Sequence, residues 1–485
     1  TARVVPASPV QILHKLSQYE EPRLRCKVDF GHQGTLTLIP YSDEKTVSHA
    51  VPTTLLYQVS LAGGEEHDLV LTVPFATPLD PNQVQAVSLP GFSDLLQKTT
   101  RYWEDIVETG MHLETPDPIL ADFHKAAQVH VSISGDKDPV SGLTILPPGS
   151  WGYRACGNEA CWQISMLDQA GQHQKAEHLL EIFLHTQGVF GLDGNFTSTE
   201  GALQGLDLDE GVPLRTHFSY NLDHGVIMEC LADHYRYTGD RTWLDRVAPN
   251  LIASCDFITR ERAATRILDT QGERSLAWGL LPAGHLEDNV EWRHWFAVNA
   301  HACNGMNTIA GILAEIDHPD AKRIQQDAAA YREDIRNAAI RAMINAPVVR
   351  ILDGTYIPRI PTRTHQHGRE WGWFREAAYG AIHLLEGNIF APDEPEMTWV
   401  IKDLEDNLYV TREWGRPVDL EKQWFSQGGL TIQPNLTDMA IDYLRRGQIK
   451  HGLRALFNNF ATSLYRDVRV FTEHPVIELG HGVGP

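Results

Sequence analysis

The chain lacks the long apolar runs and the basic surplus that mark two common classes of protein. No uninterrupted apolar segment approaches the roughly 20 residues that a membrane-spanning helix needs. Acidic residues outnumber basic residues by 63 to 41, which gives a formal net charge of −22. Such a surface repels phosphate backbones. We therefore expect neither a membrane nor a nucleic-acid partner.

Cysteine is also scarce, with six residues in 485. They are Cys26, Cys156, Cys161, Cys230, Cys255 and Cys303. Six is too few for a disulfide scaffold, and no pair has the close CxxC spacing of a zinc site. Cys230, Cys255 and Cys303 fall inside helical patterns and are expected in the core. The sequence predicts no structural metal and no cofactor.

Residues 1–90 have the pattern of a β domain. Segments 23–30, 35–39, 54–61 and 68–73 alternate or are rich in β-branched residues, and turn signals separate them. About four strands make a thin structure. The pattern predicts a partial antiparallel β-sandwich preceding the rest of the chain.

After Pro90 the period changes from two to that of a helix. Residues 91–116 are predicted to form a linker helix, and residues 117–485 a helical domain. Eleven helical segments are expected in that domain: 117–132, 157–171, 173–187, 220–238, 241–262, 293–315, 318–344, 370–386, 395–410, 430–446 and 448–464. The protein is therefore predicted to be mainly α.

The links between these segments alternate in length. Those at 237–240 and 446–448 are tight, whereas those at 188–219, 263–292 and 346–369 are long. Short links at one end and long links at the other are typical of an (α/α)6 toroid, with function expected on the long loops. A helical repeat solenoid would instead show a fixed period and similar loops.

Several segments resemble the six-hairpin glycosidase superfamily, which includes glucoamylases, trehalases and α-L-rhamnosidases. Residues 228–240, which end in Thr-Gly-Asp, resemble a hairpin of these proteins, and residues 102–117 resemble the helix that joins their β-sandwich to the barrel. Residues 279–282 and 299–302 resemble their third active-site hairpin, and residues 471–474 resemble a late loop that carries a carboxylate.

The resemblance covers roughly residues 90–485 and implies an (α/α)6 barrel that acts on carbohydrate. In such families the chain continues past the late loop into a final helix and a further β region, whereas this sequence stops at Pro485. We therefore expect additional domains or chains of a longer polypeptide.

Glycoside cleavage needs one carboxylic acid that protonates the leaving oxygen and a second that activates water or attacks carbon. The first candidates are Glu287, Asp288 and Glu291, which precede a helix and are followed by Trp292 and Trp295. Neighbouring charge and apolar rings would raise at least one of their pKa values, as a proton donor requires. Glu287 and Asp288 are preferred, and the alternative is that Asp288 or Glu291 caps the helix.

The second carboxylate is expected from Glu473, between an aromatic segment and Pro475. It would be the base, or the nucleophile in a retaining scheme, and the alternative is an ion pair with Arg466 or Arg469. The acids at 207–210 and Glu421 are more simply explained as solvated surface.

Sugar binding needs flat apolar faces together with planar hydrogen-bonding groups. Residues of both kinds on the long loops are predicted to bind substrate: Trp151, Tyr153, Arg154, His217, Tyr220, Glu291, Trp292, Trp295, His365, His367, Trp371 and Trp424. Any single tryptophan among them can equally belong to the core. His365 and His367 could form a metal pair, but no third ligand has a recognisable spacing.

These features predict a glycoside hydrolase of inverting, exo type. An alternative is a polysaccharide lyase acting on a uronic acid through Tyr153, His217, Tyr220 or the His365 loop, with Arg or Asn neutralising the carboxylate. A further alternative is a carbohydrate-binding subunit without activity. A secreted or periplasmic location is slightly favoured.

Overall fold

The computed structural model describes residues 27–29, 34–40, 52–59, 70–72, 91–138, 141–149, 155–206, 220–268, 270–287, 289–369, 376, 379–408, 439–465, 467–471, 474–476 and 481–483. The chain divides into two compact units, residues 1–102 and residues 103–485. Each unit has its own type of secondary structure. The first contains the N-terminal strands and the second nearly all of the helices.

The described strands of the first unit form two separate antiparallel pairs. Strand β1 (Lys27–Asp29) pairs with β4 (Val70–Thr72), and β2 (Gly34–Pro40) pairs with β3 (Pro52–Val59). The register of the longer pair shifts between Ile39 and Pro40, where proline lacks the amide hydrogen that a ladder needs. The predicted β-sandwich is therefore not confirmed, although antiparallel strands are present in this part of the chain.

Helices dominate the remainder, and most of their bounds agree with the predicted segments to within a few residues. They are α1 (Phe92–Thr109), α2 (Pro118–Ser134), α3 (Gly157–Gln169), α4 (His173–Thr186), α5 (Leu222–Thr238), α6 (Arg241–Ala263), α7 (Phe296–Glu315), α8 (Ala321–Asn345), α9 (His383–Glu386), α10 (Pro395–Asp403), α11 (Met439–Arg445) and α12 (Ile449–Ser463). Within the segment predicted at 370–386, however, the described residues 379–382 form turns and the helix begins only at His383. A π-helical turn, Leu404–Leu408, follows α10. The prediction of a mainly α protein is confirmed.

Short antiparallel strand pairs lie in the connections between helices. The pairs are β5 (Asp136–Lys137) with β6 (Thr144–Ile145), β7 (Gly284–Leu286) with β8 (Asn289–Arg293), β9 (Val349–Arg350) with β10 (Tyr356–Ile357), β11 (Leu464–Tyr465) with β12 (Val470–Phe471), and β13 (His474–Val476) with β14 (His481–Val483). The pair β7–β8 occupies the long link that precedes α7.

Consecutive helices form hairpins with short turns, and the turn between α5 and α6 shows the chemistry that sets them. Gly239 has a φ of 63°, in the left-handed region that glycine enters without steric cost, and it ends α5. The Asp240 carboxylate then accepts hydrogen bonds from the backbone N–H groups of Thr242 and Trp243, at 2.8 and 3.0 Å. This cap begins α6 and satisfies two N–H groups that lack helical partners.

The core lies where α5 contacts both α3 and α7. Most of α5 and α7 is buried, so these two helices present apolar residues on several sides rather than on one stripe. Gly225 brings them together, because a Cβ atom at that position would lie 2.4 Å from the backbone nitrogen of Ala302. Helices α4, α6 and α8 alternate buried and exposed residues and cover this inner layer.

Five cysteines are buried and unbridged, including the three predicted in the core. Cys230, Cys255 and Cys303 pack in α5, α6 and α7 as small apolar residues. Among the described residues, no helix combines the length and the apolar character that crossing a bilayer requires.

Candidate active site

Glu287 stands out among the candidate acids because its backbone is strained and its side chain is buried. It lies in the turn between β7 and β8, with a φ of 47°, and only 4% of its surface is exposed. A glutamate in the left-handed region costs roughly 1 kcal/mol or more, which persists only where the surroundings enforce it. Such strain is concentrated at functional sites.

Two side chains from other parts of the chain reach the Glu287 carboxylate. The amide nitrogen of Asn158, in the first turn of α3, donates to Oε1. The hydroxyl of Tyr379, a short distance before α9, donates to Oε2 at 3.4 Å. Both of these partners are neutral hydrogen-bond donors, and together they orient the carboxyl group.

Asp223 is a second buried acid, and it holds the backbone around Asn158. In the first turn of α5, it accepts hydrogen bonds from the N–H groups of Gly157 at 2.8 Å, Asn158 at 2.9 Å and Gly205 at 3.1 Å. Burial raises the pKa of Asp223 to about 7, although the three N–H donors counteract this rise. Asp223 therefore ties the start of α3 and the loop at Gly205 to the start of α5.

The thiol of Cys156 gives independent evidence that acidic groups gather here. Burial raises its pKa well above the usual value, and the carboxylates of Glu159, Asp223 and Glu287 raise it further. The thiol is therefore neutral. Only closely spaced acids can act on the same group in this way.

The loop that carries Glu287 is bound to the loop before α5. The Asn221 side chain accepts from the Asp193 N–H at 3.2 Å and donates to the Asp193 carbonyl at 2.8 Å. The Asn195 N–H donates to the Ala283 carbonyl at 2.8 Å. A Cβ atom at Gly194 would lie 2.3 Å from that same carbonyl oxygen. The two loops thus form one backbone unit.

Trp295 is buried against this backbone unit. It therefore does not fit its predicted role as a surface on which a sugar ring stacks. Only 1% of its surface is exposed, its Nε1–H donates to the Gly284 carbonyl at 2.9 Å, and the Arg363 guanidinium lies 5.1 Å from its ring centroid. An indole ring that is buried to this extent cannot stack on a pyranose ring. The residue positions the hairpin that bears Glu287.

Glu291 and Trp292 lie on β8 and face solvent. Glu291 is half exposed and pairs with Arg293 at 3.5 Å. The helix that follows begins at Trp295 with no side-chain cap, so Glu291 has no capping role. Trp292 is 47% exposed, and its ring lies 6.3 Å from that of His285. Of the two, Trp292 keeps a free aromatic surface of the kind that sugars stack on.

Three other predicted binding residues are described. Tyr220 is half-buried, and its carbonyl accepts the Asp223 N–H at 2.9 Å, so it lies beside the site. His365 and His367 are both exposed, and His365 has a φ of 53°. The His367 carbonyl accepts from Arg359 at 3.0 Å. These contacts place the His365 loop on the barrel surface without joining it to Glu287.

Eight of the predicted site residues lie outside the described part of the chain. They are Asp288 and Glu473 among the candidate acids, and Trp151, Tyr153, Arg154, His217, Trp371 and Trp424 among the binding residues. Their assignments remain predictions.

A buried ion-pair group was not predicted from the sequence. Glu376 lies 3.4 Å from Arg359 and 3.9 Å from Arg369, and Gln366 also donates to it. Burial raises the pKa of Glu376, and the two arginines offset part of that rise. Arg369 bonds to Asp403 as well, so its charge is already engaged.

The comparisons agree with this architecture at the level of fold. A bacterial glucoamylase complexed with acarbose superposes with a TM-score of 0.52 at 13% identity, over 89% of this chain and 62% of the glucoamylase chain. The chain therefore shares the fold of this glucoamylase, an (α/α)6 barrel, and it spans about three fifths of the length of that enzyme.

Two further solved structures are similar at lower scores. An α-mannosidase from Streptococcus pneumoniae in complex with α-1,6-mannobiose matches with a TM-score of 0.47 and 10% identity, over 73% of this chain and 88% of that one. A rhamnosidase from Klebsiella oxytoca with rhamnose bound matches with a TM-score of 0.41 and 11% identity, over 71% and 55%. No protein-family model and no curated protein sequence matches the chain.

Proposed function

We propose that the chain is a glycoside hydrolase and that Glu287 protonates the leaving glycosidic oxygen. The observation that carries this proposal is a strained, buried glutamate that accepts hydrogen bonds from Asn158 and Tyr379, in an (α/α)6 barrel. A proton donor must be neutral before the reaction and anionic after it. Hydrogen bonds from the Asn158 amide and the Tyr379 hydroxyl orient the carboxyl group and stabilise the anion that forms when the proton is transferred.

Glu287 suits the task better than the other described acids near it. The Asp223 side chain is fully buried, and its oxygens are occupied by backbone N–H groups, so it cannot reach a substrate. Glu291 is exposed and paired with Arg293, so its carboxylate is already engaged at the surface. Asp288 remains the alternative donor from the sequence, because it is adjacent to Glu287.

The second carboxylate of the proposal is Glu473, on the late loop. In an inverting reaction it would activate a water molecule on the face of the sugar opposite to Glu287. The two carboxyl groups would then be roughly 6.5–9.5 Å apart, against roughly 5 Å for a retaining enzyme. We propose the inverting, exo-type reaction, on the resemblance of this loop to that of the six-hairpin glycosidases.

Substrate contacts are proposed for exposed aromatic residues at the rim of the same loops. Trp292 has the free ring face that stacking requires, and Tyr220 lies beside Asp223. Loop residues in the undescribed ranges, such as Trp151 and Trp424, would complete the sugar site. The first experiment should identify the sugar and the linkage that is cleaved.

A glycoside panel tests the proposal. The purified chain is incubated with aryl and natural α- and β-glycosides of hexoses, deoxyhexoses and uronic acids, and products are resolved by chromatography. We expect release of a monosaccharide from one class, with loss of release in Glu287→Gln. The matched control, Glu315→Gln, makes the same chemical change on an exposed side chain at the end of α7 and should retain activity.

Other outcomes point to other functions. Unsaturated products that absorb in the near ultraviolet would show a lyase, and binding without turnover across the panel would show a carbohydrate-binding protein. The anomeric configuration of the first-formed product, read by NMR, separates inversion from retention. Equal activity in Glu287→Gln and wild type would overturn the assignment of the acid.

A further inference from the structure

A second polar cluster lies among the inner helices, with no residue in common with the Glu287 site. It consists of His301 on α7 together with His383 and Glu386 on α9, and we call it the His–His–Glu cluster. Both histidines are buried, and Glu386 is mostly buried. Because polar groups are costly to bury, such a cluster in a helical core requires an explanation.

The ligand atoms of the three side chains converge on one point. His301 Nε2 and His383 Nδ1 are 3.1 Å apart, His383 Nδ1 and the Glu386 carboxylate are 2.6 Å apart, and His301 Nε2 and that carboxylate are 3.9 Å apart. A tetrahedral ion with bonds of about 2.0–2.1 Å separates its ligand atoms by roughly 3.3 Å. The three observed distances bracket this value.

The opposite ring nitrogen of His301 has the partner that metal-ligating histidines normally have. His301 Nδ1 lies 3.1 Å from the carboxylate of Glu229 on α5, and Asn304 Nδ2 also donates to Glu229 at 2.8 Å. Because a carboxylate only accepts, Nδ1 carries the hydrogen, and in the neutral ring Nε2 presents its lone pair to His383 and Glu386. A carboxylate behind a histidine in this way fixes the tautomer for metal binding.

We propose that His301 Nε2, His383 Nδ1 and the Glu386 carboxylate bind a divalent transition-metal ion, with Zn²⁺ as the favoured ion. Two imidazoles and one carboxylate form a ligand set that zinc accepts, with a fourth position for water. Magnesium and calcium prefer oxygen ligands throughout and would bind poorly.

The ion would join helices that are separated along the sequence. His301 belongs to α7, His383 and Glu386 to α9, and Glu229 connects the site to α5. The link continues, because Asn304 bonds to Asn388 at 2.9 Å and Asn388 accepts from Arg445 on α11. Zinc would therefore brace four neighbouring helices of the barrel. This site differs from the sequence-based expectation of no metal.

Direct metal titration tests the site on the full chain. Protein without an affinity tag is stripped with a chelator and titrated with Zn²⁺ by calorimetry and with Co²⁺ by visible absorption. We expect one strong site per chain, an intense four-coordinate cobalt spectrum that Zn²⁺ abolishes, and a rise in Tm with zinc. Zinc X-ray absorption should show two imidazole nitrogens near 2.0 Å.

Variants assign the ligands. Strong binding should be lost in His383→Ala and weakened at least 100-fold in Glu386→Gln. Glu229→Gln should weaken binding by about 10- to 100-fold, since it removes only the partner behind His301. The control is His318→Ala, which removes a partly exposed histidine 3.8 Å from Asp320 and should bind zinc like wild type. Circular dichroism verifies that each variant is folded.

A metal-free hydrogen-bond chain through the same three residues is the competing explanation. It predicts no strong zinc site in the wild type, only weak binding shared with His318→Ala. That result would overturn the proposal, and so would a zinc X-ray absorption spectrum that shows fewer than two imidazole nitrogens. Neither outcome depends on the variants. Glycosidase activity is not part of the readout, so the outcome is independent of the role of Glu287.

Discussion

Glu287 and Asp223 are both buried acids near the start of α3, yet they are held in different ways. Asp223 accepts three backbone N–H groups, which no substrate can displace. Glu287 contacts the side chains of Asn158 and Tyr379, which can rotate away or pair with a ligand. The difference separates an acid that builds the site from an acid that can react in it.

The largest effect is expected from Glu287→Gln. Glutamine keeps the shape and still accepts a hydrogen bond from Asn158, but it cannot give a proton, so turnover should fall at least about 1000-fold, which equals about 4 kcal/mol in the barrier. The unfolding free energy should change by less than about 1 kcal/mol. Steady-state kinetics on the substrate from the panel and urea unfolding measure the two quantities. A large loss of stability with little loss of turnover would reverse the roles assigned to the two acids.

Asp223→Asn should show the opposite pattern, with a large cost in stability. The amide nitrogen of asparagine would face backbone N–H donors, and an unsatisfied buried group costs roughly 1–3 kcal/mol. We expect a loss of about 3 kcal/mol at pH 5 by urea unfolding. The control is Asp193→Asn, on a more exposed side chain of the adjacent loop, which should cost far less.

The pH dependence of that cost follows from the pKa of Asp223, which is about 7 in the folded chain and about 4 in the unfolded chain. Because the folded pKa is raised, the stabilisation is complete below pH 4 and is lost as the pH rises through 7. The difference in unfolding free energy between wild type and Asp223→Asn should therefore shrink from pH 5 to pH 8, by at most about 1.4 kcal/mol per pH unit. A difference that stays constant from pH 5 to pH 8 would show that the carboxyl group is ionised throughout this range.

Asn158→Ala tests the residue that the two acids share. Its backbone N–H still reaches Asp223, but the contact with Glu287 is lost. Turnover should fall roughly 10- to 100-fold while stability falls by about 1 kcal/mol, the net value of one hydrogen bond. Asn158→Asp is the companion variant, and its added charge should lower turnover further. Equal losses in both quantities would mean that Asn158 acts only in folding.

The smallest effect is expected from Tyr379→Phe. Its hydrogen bond to Glu287 is long, at 3.4 Å, so turnover should fall by less than about 10-fold. The pH profile of kcat/KM is the more specific readout, because removing a donor to the carboxylate raises the pKa of the group and should move the basic limb to higher pH. An unmoved limb would exclude Tyr379 as a positioning residue for Glu287.

The helices were predictable because their signals are local. The pattern at 220–238 and the Thr-Gly-Asp turn predicted α5 and the start of α6 to within two residues. The left-handed glycine determines where α5 ends, and the capping aspartate determines where α6 begins. The segment expected at 293–315 begins instead at Phe296, because residues 289–293 pair as a strand with the segment before them. Pairing between segments is not visible in a helical period.

The sequence identified candidate site residues only where a long loop carried side chains of the required chemical type. Glu287 could be selected as a candidate because it belongs to a group of three acids on a long loop that is followed by Trp292 and Trp295. Asp223 was missed, since an acid in the first turn of a helix is ordinarily an exposed cap. Trp295 was misjudged for the converse reason, because burial depends on Gly284 and Arg363, which meet it only in three dimensions.

The union of the loops at Gly194 and Ala283 has a consequence for protein engineering. Because the two backbones touch with no space for a side chain, neither loop can be lengthened or exchanged alone without shifting its neighbour. Transplanting a new specificity into this barrel therefore requires moving both loops as a matched pair, with Asn221 and Trp295 kept as their common support.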